Sequence, residues 1–494
     1  MTIKDRKQSS CCRDTTKKAK KLPFDKQKEL LSNLTPSLPR QSEQNLQVPA
    51  LFGHYFQFME IYRMKKSLFA FAAVTAFAGA AQAQSSVTVY GLLDMGYVGG
   101  KTTATTSTGV KNVSTYSAFS QNAEQTSRLG FKGTEDLGGG ASAFFTVEMG
   151  LTPQDANFSG APVVQDKYNQ TTTNGGSTVD NRQSFVGLKK NGIGSFAFGR
   201  QYTLIFNEVA KTDADQMNNV VGNMIYQGST KIAAGSYNGG AYGESFTNRA
   251  SNALTASSDT FAGFQANAFY ALNNGTKTST DAATAATSGY GITNYNGYGL
   301  NANYTWNKLY ATVAYQSFKV QNGNAINGAA AISNINDGQP LAPVSIAATT
   351  TATIQPLMLA DKQTYVAATY DFGILKAYAQ WIGRKIQNDT TVTGLYAGSQ
   401  LNRTAQQIGV RSYVTPTIEA FASIGNGKVT GPQISTGQPA SLSFVGYQLG
   451  SNYWLSKRTN LYAIYGQTQA SQSTTVAGGG SSANQYAVGV RHTF

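Results

Sequence analysis

The strongest constraint in this sequence is a two-residue alternation of apolar and polar side chains, which recurs from residue 84 to the end. Across residues 87–95, one parity carries valine, glycine, leucine and methionine, and the other is mostly polar. Residues 309–316 and 375–384 repeat this pattern. Successive side chains of a strand point to opposite faces, whereas helical faces repeat every 3.6 residues. The pattern therefore predicts an all-β chain with one apolar and one polar face on each strand.

The predicted strands number sixteen, and the connections between them alternate in length. Seven short turns alternate with eight long loops that are rich in Gly, Ser, Thr, Asn and Ala, which predicts an up-and-down barrel with both termini on one side. The predicted strands are 86–98, 125–133, 141–150, 181–190, 194–201, 248–258, 261–272, 294–306, 308–320, 361–371, 373–386, 402–413, 415–427, 442–455, 459–470 and 484–494.

The length and surface of these strands favour a membrane. The predicted strands have 8–14 residues, and a tilted strand of about 9–11 residues is long enough to cross a bilayer. In lipid a sheet must close on itself, because no water satisfies an open edge. Charged residues are only 13% of the chain, which also contains 51 Gly and 27 Tyr. A water-soluble sandwich would not explain so polar a second face, so the sequence predicts a sixteen-stranded antiparallel transmembrane β-barrel.

An export signal is predicted before the barrel, at residues 64–83. Two lysines follow Met64, an apolar run extends from residue 68 to Ala81, and the segment ends in Ala83. This is the layout of a secretory signal peptide, and the run is too short to span a bilayer as a helix. We expect cleavage before Gln84, with Ala81 and Ala83 as the small residues of the cleavage site.

The first 63 residues precede that signal and carry much of the basic charge of the chain, with 12 basic and 6 acidic residues. We interpret them as a disordered, misassigned upstream extension, with translation beginning at Met64. The alternative is a basic arm that binds nucleic acid or anionic lipid. Residues 84–494, a length of 411, carry 25 basic and 19 acidic residues, a net charge of +6, so we expect no nucleic-acid partner. They contain no cysteine and one histidine, His492, and predict no metal or cofactor.

Several segments resemble the general porins of Gram-negative outer membranes, especially the betaproteobacterial trimeric type. The resemblance extends over essentially all of residues 84–494. The carboxyl terminus resembles the sorting signal that is read by the barrel-assembly machinery. It ends in Phe494, and Tyr486, Val488 and Val490 occupy alternate positions before that residue. The segments that carry the resemblance are 86–94, 127–138, 185–188, 199–202, 248–252, 455–459 and 486–494.

The resemblance implies a homotrimeric outer-membrane channel for passive diffusion of ions and small hydrophilic solutes. In such porins the third external loop folds into the barrel and narrows it. Here that constriction loop would be residues 202–247, which include apolar side chains able to pack inside. The Pro-Glu-Phe-Gly-Gly loop sequence of enterobacterial porins is absent. Expected partners are outer-membrane lipid, two further copies of the chain, and the assembly machinery during biogenesis.

Charged side chains near the constriction are the candidate functional residues. Parity places Arg128 and Lys132 opposite the apolar Leu129 and Phe131, hence inside, because a charge on the lipid face costs about 2–4 kcal/mol at mid-membrane. Basic and acidic groups on opposite walls would create a transverse field that sorts ions. The basic candidates are Arg128, Lys132, Arg182 and Arg249, with Arg200 and Arg411 as weaker ones; the acidic candidates are Glu208, Asp213 and Asp215.

Alternatives exist for these residues and for the whole chain. The basic residues could form salt bridges or solvate a wide lumen, and the acidic ones could belong to a solvated loop. Asp213 and Asp215 could bind cations or attach the loop to the wall. The net charge predicts a mild anion preference. A barrel hydrolase is disfavoured because His492 lies two residues from the end, and an adhesin with little conductance is the remaining alternative.

Overall fold

The computed structural model describes residues 86–105, 109–154, 158–159, 179–226, 246–278, 291–322, 357–389, 400–432, 439–474 and 479–494. The chain divides into two units, Met1–Ala78 and Gly79–Phe494, and every described residue lies in the second. The predicted extension, the signal peptide and its cleavage site lie outside the described residues. No helix among the described residues is long and apolar enough to cross a membrane.

The described residues form seventeen strand segments and one helix. In chain order these are β1 Ser86–Thr105, β2 Lys111–Gln121, β3 Arg128–Gly138, β4 Ala141–Gly150, β5 Asn181–Lys190, β6 Gly194–Tyr202, α1 Leu204–Thr212, β7 Arg249–Ser258, β8 Phe264–Thr278, β9 Gly291–Trp306, β10 Leu309–Asn322, β11 Leu357–Asp371, β12 Lys376–Asn388, β13 Gln400–Tyr413, β14 Ile418–Pro432, β15 Pro439–Trp454, β16 Thr459–Thr474 and β17 Gly479–Thr493.

The strands form one closed antiparallel sheet. From β3 onward each strand pairs with the next in the chain, and β17 pairs with β1 from Leu92↔Thr493 to Thr105↔Gly480. β2 pairs with the second half of β1, whereas β3 pairs with its first half. These two short strands therefore share a single position in the barrel. The sheet has sixteen positions, which confirms the predicted sixteen-stranded barrel.

The predicted bounds of the second strand, 125–133, are wrong. Its position is filled by β2, which lies in the predicted loop 100–123, and by β3. Between them, the Asp94 carboxylate accepts hydrogen bonds from the backbone N–H groups of Glu124 (2.7 Å) and Gln125 (2.6 Å). The Tyr462 hydroxyl donates to the same carboxylate at 2.6 Å. These bonds draw residues 122–127 out of the ladder. β2 was missed because it has polar residues on both faces.

The two faces of the wall differ as the alternation predicts. On β13, Ile408 is 62% exposed and Val410 is also exposed, whereas the neighbouring Gln407 is 2% exposed. The exposed side chains form the apolar outer surface that lipid requires, and the buried ones point into the barrel. They are buried there because a segment of chain covers them from inside. That segment is the connection between β6 and β7.

Candidate functional site

The connection from β6 to β7 begins with α1, which lies against the inner wall. The Thr203 hydroxyl caps the helix by accepting a hydrogen bond from the backbone N–H of Phe206 at 3.4 Å. Its apolar residues pack with Met224, Ile225 and Phe246 against wall residues such as Ile382. The described part of the predicted loop 202–247 therefore folds into the barrel; residues 227–245 lie outside the description.

A row of buried glutamines on the wall binds this loop. Gln407 accepts a hydrogen bond from the backbone N–H of Met224 at 2.7 Å, and Gln485 accepts one from Val221 at 2.9 Å. Each glutamine is at most 5% exposed and bonds to the loop. Because a buried amide needs partners, this row fixes the path of the loop. The row comprises Gln316, Gln363, Gln380, Gln407, Gln448 and Gln485.

Glycines in the wall let the loop backbone lie directly on it. A Cβ at Gly466 would overlap the carbonyl oxygen of Val221, and one at Gly446 would overlap the Met224 side chain. Gly222 has a φ of +115° and lies against the carbonyl oxygen of Tyr447, so a side chain there would meet both strain and overlap. The wall sequence is thus shaped for close contact with this loop.

The acidic residues of the loop face the wall. Glu208 is 2% exposed, accepts from the Tyr310 hydroxyl, and forms an ion pair with Lys211 at 2.8 Å. Asp213 and Asp215 are each 2% exposed. Lys211 is the partner that remains accessible, with about half of its side chain (48%) exposed. The described part of the loop therefore buries its carboxylates and presents a lysine to the lumen.

Asp213 and Asp215 accept hydrogen bonds from the wall and from the loop itself. Gln407 Nε2 lies 3.1 Å from an oxygen of each carboxylate, and Asn223 Nδ2 lies 2.9–3.0 Å from both. The Ser423 hydroxyl donates to Asp215 at 2.7 Å. Burial, and then the neighbouring Asp213 carboxylate, raise the pKa of Asp215 well above its ordinary value; burial also raises the pKa of Asp213.

The opposite wall carries a basic cluster built on β3 to β7. Arg182 Nε donates to Glu148 Oε1 at 2.8 Å, and Arg182 Nη2 donates to the Tyr202 hydroxyl at 2.7 Å. The Tyr90 hydroxyl donates to the other oxygen of Glu148 at 3.1 Å. The Tyr202 ring stacks on Phe206 of α1 at a centroid distance of 4.0 Å. Arg182 is thus held rigidly beside the start of the loop.

Further basic candidates lie around the same tyrosines. The guanidinium of Arg249 is 5.3 Å from the Tyr202 ring centre, and Lys132 Nζ is 5.4 Å from that of Tyr90. Arg128 donates to Gln125 Oε1 at 3.3 Å. The cluster of Arg128, Lys132, Arg182 and Arg249 therefore holds four cationic groups around Glu148, and the Asp180 carboxylate also interacts with Arg182.

Two other arginines make different contacts. Arg200 donates to the carbonyl oxygen of Asn181 at 2.7 Å and to the Ser251 hydroxyl at 2.8 Å, which ties β5, β6 and β7 together. Arg411 forms an ion pair with Glu419 at 2.6 Å and donates to the carbonyl oxygen of Ala214 at 2.6 Å. Arg411 thus binds the loop to the wall.

Sequence reasoning missed Glu148, the two tyrosines and the glutamine row. Glu148 could have been found, because an ionisable residue within a spanning strand faces the interior and pairs there. The burial of Glu208 also has a signal, since it shares one helical face with Ile205 and Val209. The contacts of these glutamines with the loop join residues 69–264 positions apart in the chain and have no local signal.

Comparison with known proteins agrees with this architecture. A protein-family profile described as Gram-negative porin matches residues 70–494, which is most of the chain. The chain belongs to the Gram-negative porin family. The porin is 26% identical over 460 residues to an outer membrane porin protein of Bordetella pertussis, covering 87% of this chain and 100% of the relative. It is 44% identical over 97 residues to outer membrane porin protein 32 of Delftia acidovorans, covering 20% of this chain and 25% of that one.

Among solved structures, an anion-selective porin from Comamonas acidovorans aligns with a TM-score of 0.51 at 21% identity. The match covers 83% of this chain and 100% of that porin, and it shows a common fold. The resemblance noted from the sequence is thereby confirmed. The protein is a porin of the bacterial outer membrane, and its relatives are channels rather than enzymes.

The remaining site predictions concern the carboxyl terminus. Tyr486, Val488 and Val490 are exposed on the outer face of β17, and Phe494 lies against Gly91 of β1. His492 Nδ1 lies 2.9 Å from the Thr459 hydroxyl in an exposed position. Within the described ranges, no group of three His, Cys, Asp or Glu side chains could hold a metal.

Proposed function

We propose that this porin is a passive diffusion channel for ions and small hydrophilic solutes, with a mild preference for anions. One observation carries the preference: loop acids are buried against the wall, whereas basic side chains remain on the lumen side. Glu208, Asp213 and Asp215 are each 2% exposed. Lys211 on the loop and Lys132 on the basic cluster are exposed.

The electrostatic consequence follows from distance and screening. A buried carboxylate that accepts several hydrogen bonds contributes little field in the water-filled passage. The ion pair of Glu208 and Lys211 acts as a dipole whose positive end, the exposed ammonium, faces the water. Exposed cations contribute more, because only water and mobile ions lie between them and a passing solute. Charged rings of this kind set ion selectivity in pores. The Comamonas porin is named as anion-selective; at 21% identity that supports the fold, so the preference here is argued from these side chains.

We predict that reversal potentials in a KCl gradient across a planar bilayer have the sign of chloride permeation. The preference should be modest, a permeability ratio of about 2–10, because single charges across water contribute on the order of 1 kcal/mol or less. Porin purified from outer membranes provides the sample, and the same recording at high salt is the control, where screening should reduce the ratio. A reversal potential of the opposite sign would contradict the proposal.

We further propose the biogenesis and assembly that the family resemblance implies. Residues 64–83 would be a signal peptide cleaved before Gln84, residues 1–63 would not be translated, and the mature chain would form a homotrimer. The exposed, alternating Tyr486, Val488 and Val490 with Phe494 support recognition by the assembly machinery. Amino-terminal sequencing and native mass measurement of the purified porin test the first residue and the number of subunits.

A further inference from the structure

The two buried aspartates of the constriction loop form an unusual pair. Asp213 and Asp215 share two neutral donors, since Gln407 Nε2 and Asn223 Nδ2 each lie within 3.1 Å of both carboxylates. The second oxygen of Asp215, Oδ1, is buried and has no hydrogen-bond partner among the described residues. Two negative charges held this close, with donors that are neutral, repel each other strongly in a dry site.

The arginines around Asp213 and Asp215 are engaged in other contacts and do not form an ion pair with either carboxylate. Arg411 binds the Ala214 carbonyl between the two aspartates, but its guanidinium is already paired with Glu419 at 2.6 and 3.0 Å. Arg403 donates to the carbonyl oxygen of Met224. The other titratable groups that face the pair are Tyr365 on β11, Tyr378 on β12 and Glu208 on α1.

The pair also holds the loop to the wall at several points. Asp213 accepts from Gln380 on β12 at 3.1 Å, and Asp215 accepts from Ser423 on β14 at 2.7 Å. Gln407 on β13 supplies the bond between them. Anchors on three adjacent strands therefore converge on two carboxylates, and their charge state affects the attachment of the whole middle of the loop.

We propose that Asp213 and Asp215 form a pH-responsive anchor of the constriction loop, in which a proton retained by the pair keeps the loop on the wall. When that proton is lost as the pH rises, the doubly charged pair repels and the loop loosens. The inference rests on the porin fold and on these contacts, and it is independent of the anion preference.

The direction of the pH effect follows from linkage. In a released loop the carboxylates are hydrated and ionise near pH 4, at about their ordinary pKa. In the anchored loop burial raises the pKa of both, so the anchored state binds more protons above that pH. Rising pH between the ordinary and the raised pKa therefore favours release, and the anchor is firmest in acid.

Single-channel recording across a range of about pH 4 to pH 9 tests the proposal. The open-channel current of the wild-type porin should become noisier as the pH rises through one transition. Asp215→Asn removes one charge of the pair and should abolish the transition, leaving a quiet current at every pH. Asp371→Asn, which changes the exposed aspartate that ends β11, is the matched control and should retain it.

A second variant, Ser423→Ala, tests the proposal independently in case Asp215→Asn does not fold. Ser423→Ala removes one hydroxyl that stabilises ionised Asp215, so the transition should shift to higher pH by roughly half to one unit. Barrel formation in each variant is checked by its heat-dependent mobility on a denaturing gel. The proposal is overturned if the wild-type current has no transition in this range, if Asp215→Asn retains it, or if Ser423→Ala moves it to lower pH.

Discussion

Exchanging the two exposed lysines that face the lumen for glutamates should reverse the ion preference of this porin. Lys132 lies on the basic cluster and Lys211 on the constriction loop. The double variant Lys132→Glu, Lys211→Glu changes the local charge by four units. With on the order of 0.5 kcal/mol per unit across water, the ratio of chloride to potassium permeability should fall by at least about tenfold. The measurement is the reversal potential in a KCl gradient.

A matched control separates local field from total charge. Lys457→Glu alters an exposed lysine in the short turn between β15 and β16, away from the loop. Two such exchanges at turn positions, Lys457→Glu with Lys308→Glu, change the net charge of the chain equally and should leave the permeability ratio nearly unchanged. An equal shift in both double variants would show that overall charge, rather than these two positions, sets the preference.

Substituting Gly466 should displace the constriction loop and produce the largest change in conductance. A Cβ at this position overlaps the carbonyl oxygen of Val221, which accepts a hydrogen bond from Gln448, while the Val221 N–H donates to Gln485. Gly466→Ala should cost about 1–3 kcal/mol of loop attachment, as overpacking of a tight contact does, and Gly466→Leu should cost more. We expect single-channel conductance and current noise to change stepwise from wild type to Ala to Leu.

The control for this series is a glycine with room around it. A Cβ at Gly480 on β17 would meet its nearest neighbour, the carbonyl oxygen of Ala470, at 3.4 Å, which is ordinary contact. Gly480→Ala should therefore conduct as the wild type does. If Gly466→Leu forms folded barrels whose conductance and noise equal those of the wild type, the loop does not lie on the wall as described.

Much of the barrel was predictable because strand alternation is a local property. Parity alone placed Arg128 and Lys132 inside, and the number of positions followed from turns and loops. The break between β2 and β3 was not predictable, because it depends on Asp94 binding backbone groups about thirty residues away. Asp94 is a buried carboxylate and β2 is polar on both faces, so neither produces the apolar–polar alternation from which strands are predicted.

The sequence predicted which charged residues belong to the site better than it predicted the direction in which their side chains face. The sequence identified Asp213 and Asp215 as loop acids, yet whether they face water or the wall depends on Gln380, Gln407 and Ser423, which are some 170–210 residues distant. Each of these wall residues is an ordinary polar residue on the inner face of a strand. Their role arises when the loop brings carboxylates against them, and a single sequence does not display that pairing.

The loop lies inside the barrel, and we propose that it presents a positively charged surface to the lumen. Asn207 is exposed on α1, and the chain after residue 83 contains no cysteine, so Asn207→Cys gives a single reporter thiol. We predict that an anionic methanethiosulfonate reagent modifies it faster than a cationic one of similar size, each scaled to its rate with a free thiol, and that modification reduces the single-channel current. Faster reaction of the cationic reagent, or modification that leaves the current unchanged, would contradict this placement and charge of the loop.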